Sequence, residues 1–377
     1  MPEQIEQSVE VNGIGRHRGR LFQIRIYLVK FLRMFIYQND WKVLPMAAAI
    51  GVIVAMVTRS NMFVTMEGTL VGSFAITLAC VWNGCFNSIQ VVCRERGIVK
   101  REHRSGMHIS SYVCAHVIYQ ALLCLAQTIL LMIVCVRAGV PFPKEGFITR
   151  WIYLDIGISA FLITFASDMM GLLVSSFVRT TTAAMTVMPL LLVFQLIFSG
   201  GMVALPQWTL SVSGATLSRY GLRSIAALAD FNSLPAVSGW NTLSNMRNTE
   251  IDHTLTVDDV VVLLQNDAVR SQLSEISTPD GLTMEQVADT ILETGMLQQF
   301  EGAEYDLHIK LGDILNAIGE QRVKEYVTEA SRITSYNAAY EHTRGNVIRC
   351  WMVMIAFSLG FVILATIALE FIDKDKR

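Results

Sequence analysis

Six long apolar runs decide what this chain can fold into. They lie at roughly 42–63, 67–92, 110–136, 148–177, 181–203 and 347–370. A helix needs ~20 mainly apolar residues to cross the hydrocarbon core of a bilayer, where an isolated helix satisfies its own backbone and an open chain does not. The first run, "KVLPMAAAIGVIVAMVTRSNMF", is the weakest, with Pro45 near its start and Arg59 near its end. The fourth is long enough to tilt or to begin in the interface. Only 16% of the 377 residues are charged, against about 25% in soluble domains. The expected fold class is an all-α polytopic membrane protein with six transmembrane helices. An amphipathic helix precedes them, and a helical extracytoplasmic domain lies between helices five and six.

Basic residues set the orientation. Arg16, Arg18, Arg20, Arg25, Lys30 and Arg33 precede the first run, "RERGIVKREHR" separates the second from the third, and "DKDKR" follows the sixth. Six crossings put these on one side, so both termini are expected in the cytoplasm of a multi-pass cell-membrane protein. No secretory leader is expected behind Glu3, Glu6 and Glu10. Residues 231–345 fall on the other side and hold more than twice as many acidic as basic residues. "TVDDVVVLLQ" and "TMEQVADTILETG" carry helical apolar spacing, with Thr256 and Thr283 as N-caps. The expected division is 1–40, an N-terminal cytoplasmic segment; 41–230, helices one to five; 231–345, the external domain; and 346–377, the sixth helix and tail. All seven cysteines lie in or beside the spans, which suggests packing residues and no disulfide framework.

Two charged segments stand apart from the spans. In "LFQIRIYLVKFLRMFIYQND", residues 21–40, Arg25, Lys30 and Arg33 interrupt an apolar face, so the segment reads as an interfacial helix or as an extension of the first span. The stretch 94–108 is expected to be a helix that protrudes into the cytoplasm. A positive-inside signal explains its basic residues but not Glu95 and Glu102 among them. Mixed charge on a protruding helix suits docking to a soluble subunit.

Here the sequence resembles a family. "ERGIVKREHRSGMHISSY" resembles the first cytoplasmic loop of type-2 ABC transporter permeases, particularly the White-type (ABCG) group. "GLLVSSFVRTTTAAMTVMPLLLVFQLIFSGGMVALPQW" looks like that family's fourth and fifth spans with their "FSG" turn, and "LSRYGLRSIAAL" is similar to the segment after the fifth. The likeness covers roughly 21–230 and 346–371. It implies that 21–40 is a connecting helix, that two permease chains pair as a homo- or heterodimer, and that two ATP-binding domains lie beneath. Arg94, Glu95, Arg96, Arg101 and Glu102 would couple to them, with a shorter contact at Arg179 to Thr182. No G-x-x-x-x-G-K-[ST] phosphate loop occurs in these residues. The ATPase, with its ATP and magnesium, is therefore expected on a separate soluble subunit, and this chain itself is expected to hold no cofactor and no metal. Membrane lipids are further partners; nucleic acid is not. Gly201 and Met202 follow "FSG" where the family's exporters carry bulky apolar residues.

Polar residues inside the spans are the other candidates. Asn83, Asn87 and Gln90 share a face of the second span, beside Phe86. Two readings stay open: lining of a translocation route, which the family places along the second and fifth spans, or interhelical hydrogen bonding. Asp168 is a charge well inside the fourth span, where ionisable groups by default hint at function; it either serves transport, lies near the headgroups, or pairs with a basic residue. Asp155 lies nearer the outer end. Gln195 and Pro189 mark the fifth span, as pore lining or as a bend. Nothing in the spacing of histidine, cysteine or serine points to catalysis. Two function classes follow: the permease subunit of an ATP-driven exporter for a lipid, peptide or amphipathic small molecule, or a membrane-anchored receptor or assembly protein whose external domain binds a partner.

Overall fold

The computed structural model describes residues 19–37, 40–201, 206–274, 283–294 and 304–371. Two compact units are present, one of 1–236 with 332–377 and one of 237–331.

The first unit is helical. Its elements are α1 (Arg20–Tyr37), α2 (Val43–Thr58), α3 (Met66–Ser88), α4 (Val91–Arg104), α5 (Ile109–Arg137), α6 (Ile152–Phe177), α7 (Thr181–Ile197), the short α8 (Leu210–Ser213), and α9 (Leu217–Leu228). Helix starts follow the side-chain chemistry. Thr65 accepts from the Gly68 N–H at 3.2 Å and Thr180 from that of Ala183 at 3.2 Å, each meeting a donor that the first turn leaves open.

Helices α3 and α6 form the centre. In each, 67% of the most apolar window is buried, against 28% for α2 and 33% for α5. Their backbones touch because glycine lets them: a Cβ on Gly84 would lie 2.1 Å from the Thr164 carbonyl oxygen. Ser167 Oγ donates to the Val81 carbonyl at 2.6 Å across the same contact. This is how membrane helices associate where apolar burial gives little preference for neighbour over lipid. A second cluster closes the end near α4, with Phe31, Val92, Val99, Tyr112 and Leu172 buried together.

Five helical segments of the described residues are long and apolar enough to cross a membrane; α7 is apolar but shorter. The expected fifth run, 181–203, stops as a helix at Ile197. The Phe198 carbonyl accepts from Ser213 Oγ (2.8 Å) and Thr216 Oγ1 (3.2 Å), and Gly200 takes φ +76°. Capture of that carbonyl and a left-handed glycine end the helix. Gly201 packs so tightly that a Cβ would come within 2.8 Å of the Phe74 ring and 2.9 Å of Leu222, so the turn has no room for a bulky residue at this position. Met202 lies outside the described residues.

The second unit contains α10 (Ser238–Asn245), β1 (Glu250–Thr256), α11 (Val257–Gln265), α12 (Asp267–Leu273), α13 (Met284–Glu293), β2 (Glu304–Lys310), α14 (Leu311–Ile318) and most of α15 (Glu320–Thr334). Thr256 and Thr283 are N-caps as their sequence suggests, each in a reciprocal box with the third helical residue, Asp259 and Gln286. The helical reading of this segment lacked one feature. β1 and β2 pair antiparallel, Glu250 opposite Lys310 and Thr256 opposite Glu304. The last helix among the described residues is α16 (Arg344–Glu370), part of the first unit, where Thr343 caps the first turn through the Asn346 N–H.

Candidate coupling helix and buried polar network

α4 continues α3 after a break at Ile89–Gln90, and its structure begins three residues earlier and ends four earlier than 94–108. It stops where Gly106 takes φ +99°, with the Met107 N–H returning to the Glu102 carbonyl at 3.1 Å.

Its first half is tied to the end of α6 in reciprocal fashion. Ser175 Oγ accepts from the N–H groups of Val92 (3.1 Å) and Cys93 (3.2 Å), two of the donors the start of α4 cannot pair within itself. Arg96 in return donates to the carbonyls of Ser176 (3.0 Å) and Val178 (3.2 Å), which the end of α6 leaves open. Ser175 escaped the sequence reading because a serine beside a helix end looks like any small packing residue; the pairing exists only once α4 folds back on α6.

The acidic residues of α4 share a face, as their seven-residue spacing requires, and that face turns toward α1. Glu95 is buried and lies 3.7 Å from Lys30 Nζ; Glu102 lies 3.6 Å from the same nitrogen and accepts from the Tyr27 hydroxyl at 3.1 Å. Burial, then the charge and hydrogen bond of Glu102, hold the Tyr27 phenol well above its ordinary range. Within the single chain, the two carboxylates expected at the coupling contact thus both meet α1, and Glu102 stays part-exposed. A carboxylate removed from water needs a cation, and Lys30 of α1 supplies one. The opposite face, Arg94, Gly97, Ile98, Arg101 and Arg104, is exposed. Of these, Arg94 lies 3.8 Å from Asp40.

Deeper in the bundle, polar side chains of three helices converge. Asp168 of α6 is 0% exposed. It accepts from Ser88 of α3 and, at 3.2 Å, from Cys124 of α5. Gln120 Nε2 donates to Ser88 Oγ at 2.9 Å, and His116 Nε2 is 3.3 Å from that oxygen. Asn87 and Gln127 exchange two amide hydrogen bonds of 2.8 and 3.0 Å. Asp168 is therefore buried, and among the described residues it has hydrogen-bond donors but no basic partner. His116, Gln120 and Gln127, which the sequence reading passed over, sit at i, i+4 and i+11 of one helix; that shared face was the available signal.

The remaining candidates separate. Phe86 stacks on Trp82 with centroids 5.6 Å apart. Asn83 is buried, and its side-chain oxygen has no hydrogen-bond partner among the described residues. Gln195 is buried and ties α7 to α9: its side-chain oxygen accepts from the Ser218 N–H at 3.0 Å. Asp155 accepts from the N–H groups of Phe147, Ile148 and Thr149 at 2.8–2.9 Å, closing the loop before α6.

Residues 25–227 match the ABC-2 type transporter family. The chain belongs to that family. The matched span includes most of α1 and ends within α9, so it contains both the α4 clamp and the network around Asp168. A curated relative of this ABC-2 permease is the ABC transporter ATP-binding/permease protein Rv1747 of Mycobacterium tuberculosis (strain ATCC 25618 / H37Rv), 25% identical over 162 residues. That match takes in 41% of this chain, which spans only 18% of the relative's length. The chain is a multi-pass membrane protein.

Proposed function

We propose that this chain is the membrane subunit of an ATP-driven exporter of the White-type group, moving a hydrophobic or amphipathic substrate across the cell membrane. Two such chains pair, and ATP-binding subunits outside these 377 residues supply ATP and magnesium. Both termini and α4 face the cytoplasm, and the acidic unit at 237–331 faces outward. ATP binding then selects one of two packings of the spans. The translocation route runs beside α3 and α7, with Asn83 and Phe86 on its wall, while Asn87, Gln90, Asp168 and Gln195 position the helices around it.

The observation that carries this reading is the reciprocal clamp of α4 on α6 through Ser175 and Arg96. A charged helix that served only as a topology signal needs no such fixing. A helix that transmits a partner's movement does, because displacement at Arg101 must reach α6 without loss. The exposed basic face, with Ile98 at its centre, suits an acidic, part-apolar groove on the ATP-binding subunit. Buried interfacial charges of this kind cost about 2–5 kcal/mol when one partner is removed.

The test is co-purification and transport with the double reversal Arg101→Glu, Arg104→Glu. Expected is loss of the ATP-binding subunit from the complex with membrane insertion intact. Glu102→Gln, on the face toward α1, should keep the subunit bound. A double reversal that assembles and transports like the wild type defeats the coupling role and favours a membrane-anchored receptor.

A further inference from the structure

Helix α9 is nested among α3, α6 and α16. Of its twelve residues only Arg219, Tyr220 and Arg223 are not buried. Residues one turn apart share a helical face, so the open face of α9 consists of two arginines with a tyrosine beside them.

This face lies deep. A Cβ on Gly221 would meet Ile163 of α6 at 2.8 Å and Thr77 of α3 at 2.9 Å. Thr77 stands midway along α3, roughly 16 Å from its first residue at ~1.5 Å per residue. Arg219 and Arg223 flank Gly221, so both are level with the middle of a spanning helix. Charge at that level is costly and marks a site unless it is paired. Among the described residues neither arginine has an acidic partner. Arg219 donates one N–H to the Leu210 carbonyl at 3.0 Å. Arg223 makes no hydrogen bond or ion pair with the described residues, and the charged neighbour that acts on it is Arg219. Two half-buried like charges call for an anion between them.

The donor set decides the kind of anion. Two guanidinium forks one helical turn apart offer more N–H groups than the two oxygens of one carboxylate can accept, whereas a phosphate turns oxygens toward both. The surroundings decide what carries it. The Tyr220 ring lies 6.0 Å from that of Phe357 on α16, and Phe357 stacks on Phe361, one turn further from Arg344, at 5.8 Å. All three rings are half-buried, so a row of apolar surface leads away from the arginines, suited to a hydrocarbon stem.

We propose that Arg219 and Arg223 bind the phosphate group of an anionic amphipath whose hydrocarbon lies along Tyr220, Phe357 and Phe361. The site shares no residue with the α4 clamp or the network around Asp168, and it binds its ligand whether or not the chain exports.

The test uses the full chain in detergent with equal amounts of phosphatidic acid, diacylglycerol and a fatty acid of matched chain length, read by native mass spectrometry. Phosphatidic acid should be retained about tenfold better than diacylglycerol, which has no anion. It should also outlast the fatty acid, whose carboxylate engages one fork. Inorganic phosphate should displace it only in large excess, because free phosphate lacks the stem. Arg223→Gln removes a like charge that has no acidic partner, so the variant should fold and lose most of the preference. Arg223→Lys, which keeps the charge without the fork, should keep part of it, and Phe357→Ala should lower retention several-fold. The double variant Arg25→Gln, Arg33→Gln, at exposed positions of α1, should leave the preference unchanged. Four results overturn the proposal: equal retention of phosphatidic acid and diacylglycerol, a fatty acid held as well as phosphatidic acid, displacement by inorganic phosphate at matched concentration, or a preference that survives Arg223→Gln and falls in the α1 variant. Binding alone is read, so the outcome stands apart from the exporter reading.

Discussion

Helix α6 holds two aspartates that are equally inaccessible, Asp155 in its first turn and Asp168 well inside it, both 0% exposed. They are held in opposite ways. Asp155 is surrounded by three backbone N–H groups of the loop just before its own helix. Asp168 is held by side chains of two other helices, Ser88 of α3 and Cys124 of α5. A carboxylate fixed by neighbouring backbone is a local fastener: it keeps its partners as long as the loop exists. A carboxylate fixed by side chains on separate helices is a tie between bodies, which can release and re-form when those helices shift. On the proposed exporter reading, in which the spans alternate between two packings, the second kind of contact is where movement would be registered.

Asp155→Ala should be the most damaging change. It leaves three part-buried N–H donors without their partner, and at the lower end of about 1–3 kcal/mol for each unsatisfied group the loss is roughly 3 kcal/mol or more. Thermal unfolding in detergent should show the lowest midpoint of the variants considered. A wild-type midpoint would mean that the loop finds other partners, and the contrast with Asp168 would collapse.

Asp168→Asn is nearly isosteric and should cost less stability, about 1–2 kcal/mol, because the amide retains an oxygen for one of its two donors. Its larger effect should be on transport per folded molecule, with ATPase turnover running on uncoupled. If the variant loses as much stability as Asp155→Ala while each folded molecule transports normally, Asp168 is another fastener.

Ser175 stands between these cases, a side chain of α6 that serves the backbone of α4. Ser175→Ala should cost about 1 kcal/mol, in the range of a lost helix cap, and should raise proteolytic cleavage within 91–104. Unchanged protection would show that Arg96 alone holds α4 in place, and would assign the clamp to one residue.

Much of the architecture is legible in the chain itself, for a reason that begins with the solvent. Runs such as "VIRCWMVMIAFSLGFVILATIALE" are too long and too apolar to lie anywhere but in a helix across lipid, and α16 fills that run from Arg344 to Glu370. Thr256 and Thr283 announce their helices because a cap and its partner are three residues apart. The antiparallel ribbon was not legible: "EIDHTLT" and "EYDLHIK" are each too short to declare themselves, and each finds its partner across more than forty intervening residues of chain.

The candidate site divides along the same line. Sequence alone marked Asp168 as an ionisable group inside a span and gave Glu95 and Glu102 one helical face, since helical periodicity fixes which residues of one helix point together. It did not fix which neighbour that face meets. Only the tertiary structure brought Lys30 to Glu95 and Glu102, Ser88 to Asp168, and Ser175 to the start of α4. Local spacing follows from covalent geometry, whereas the partner of a buried charge follows from how whole helices pack, where close approach at Gly84 and the need to satisfy every polar group in a dry interior act together.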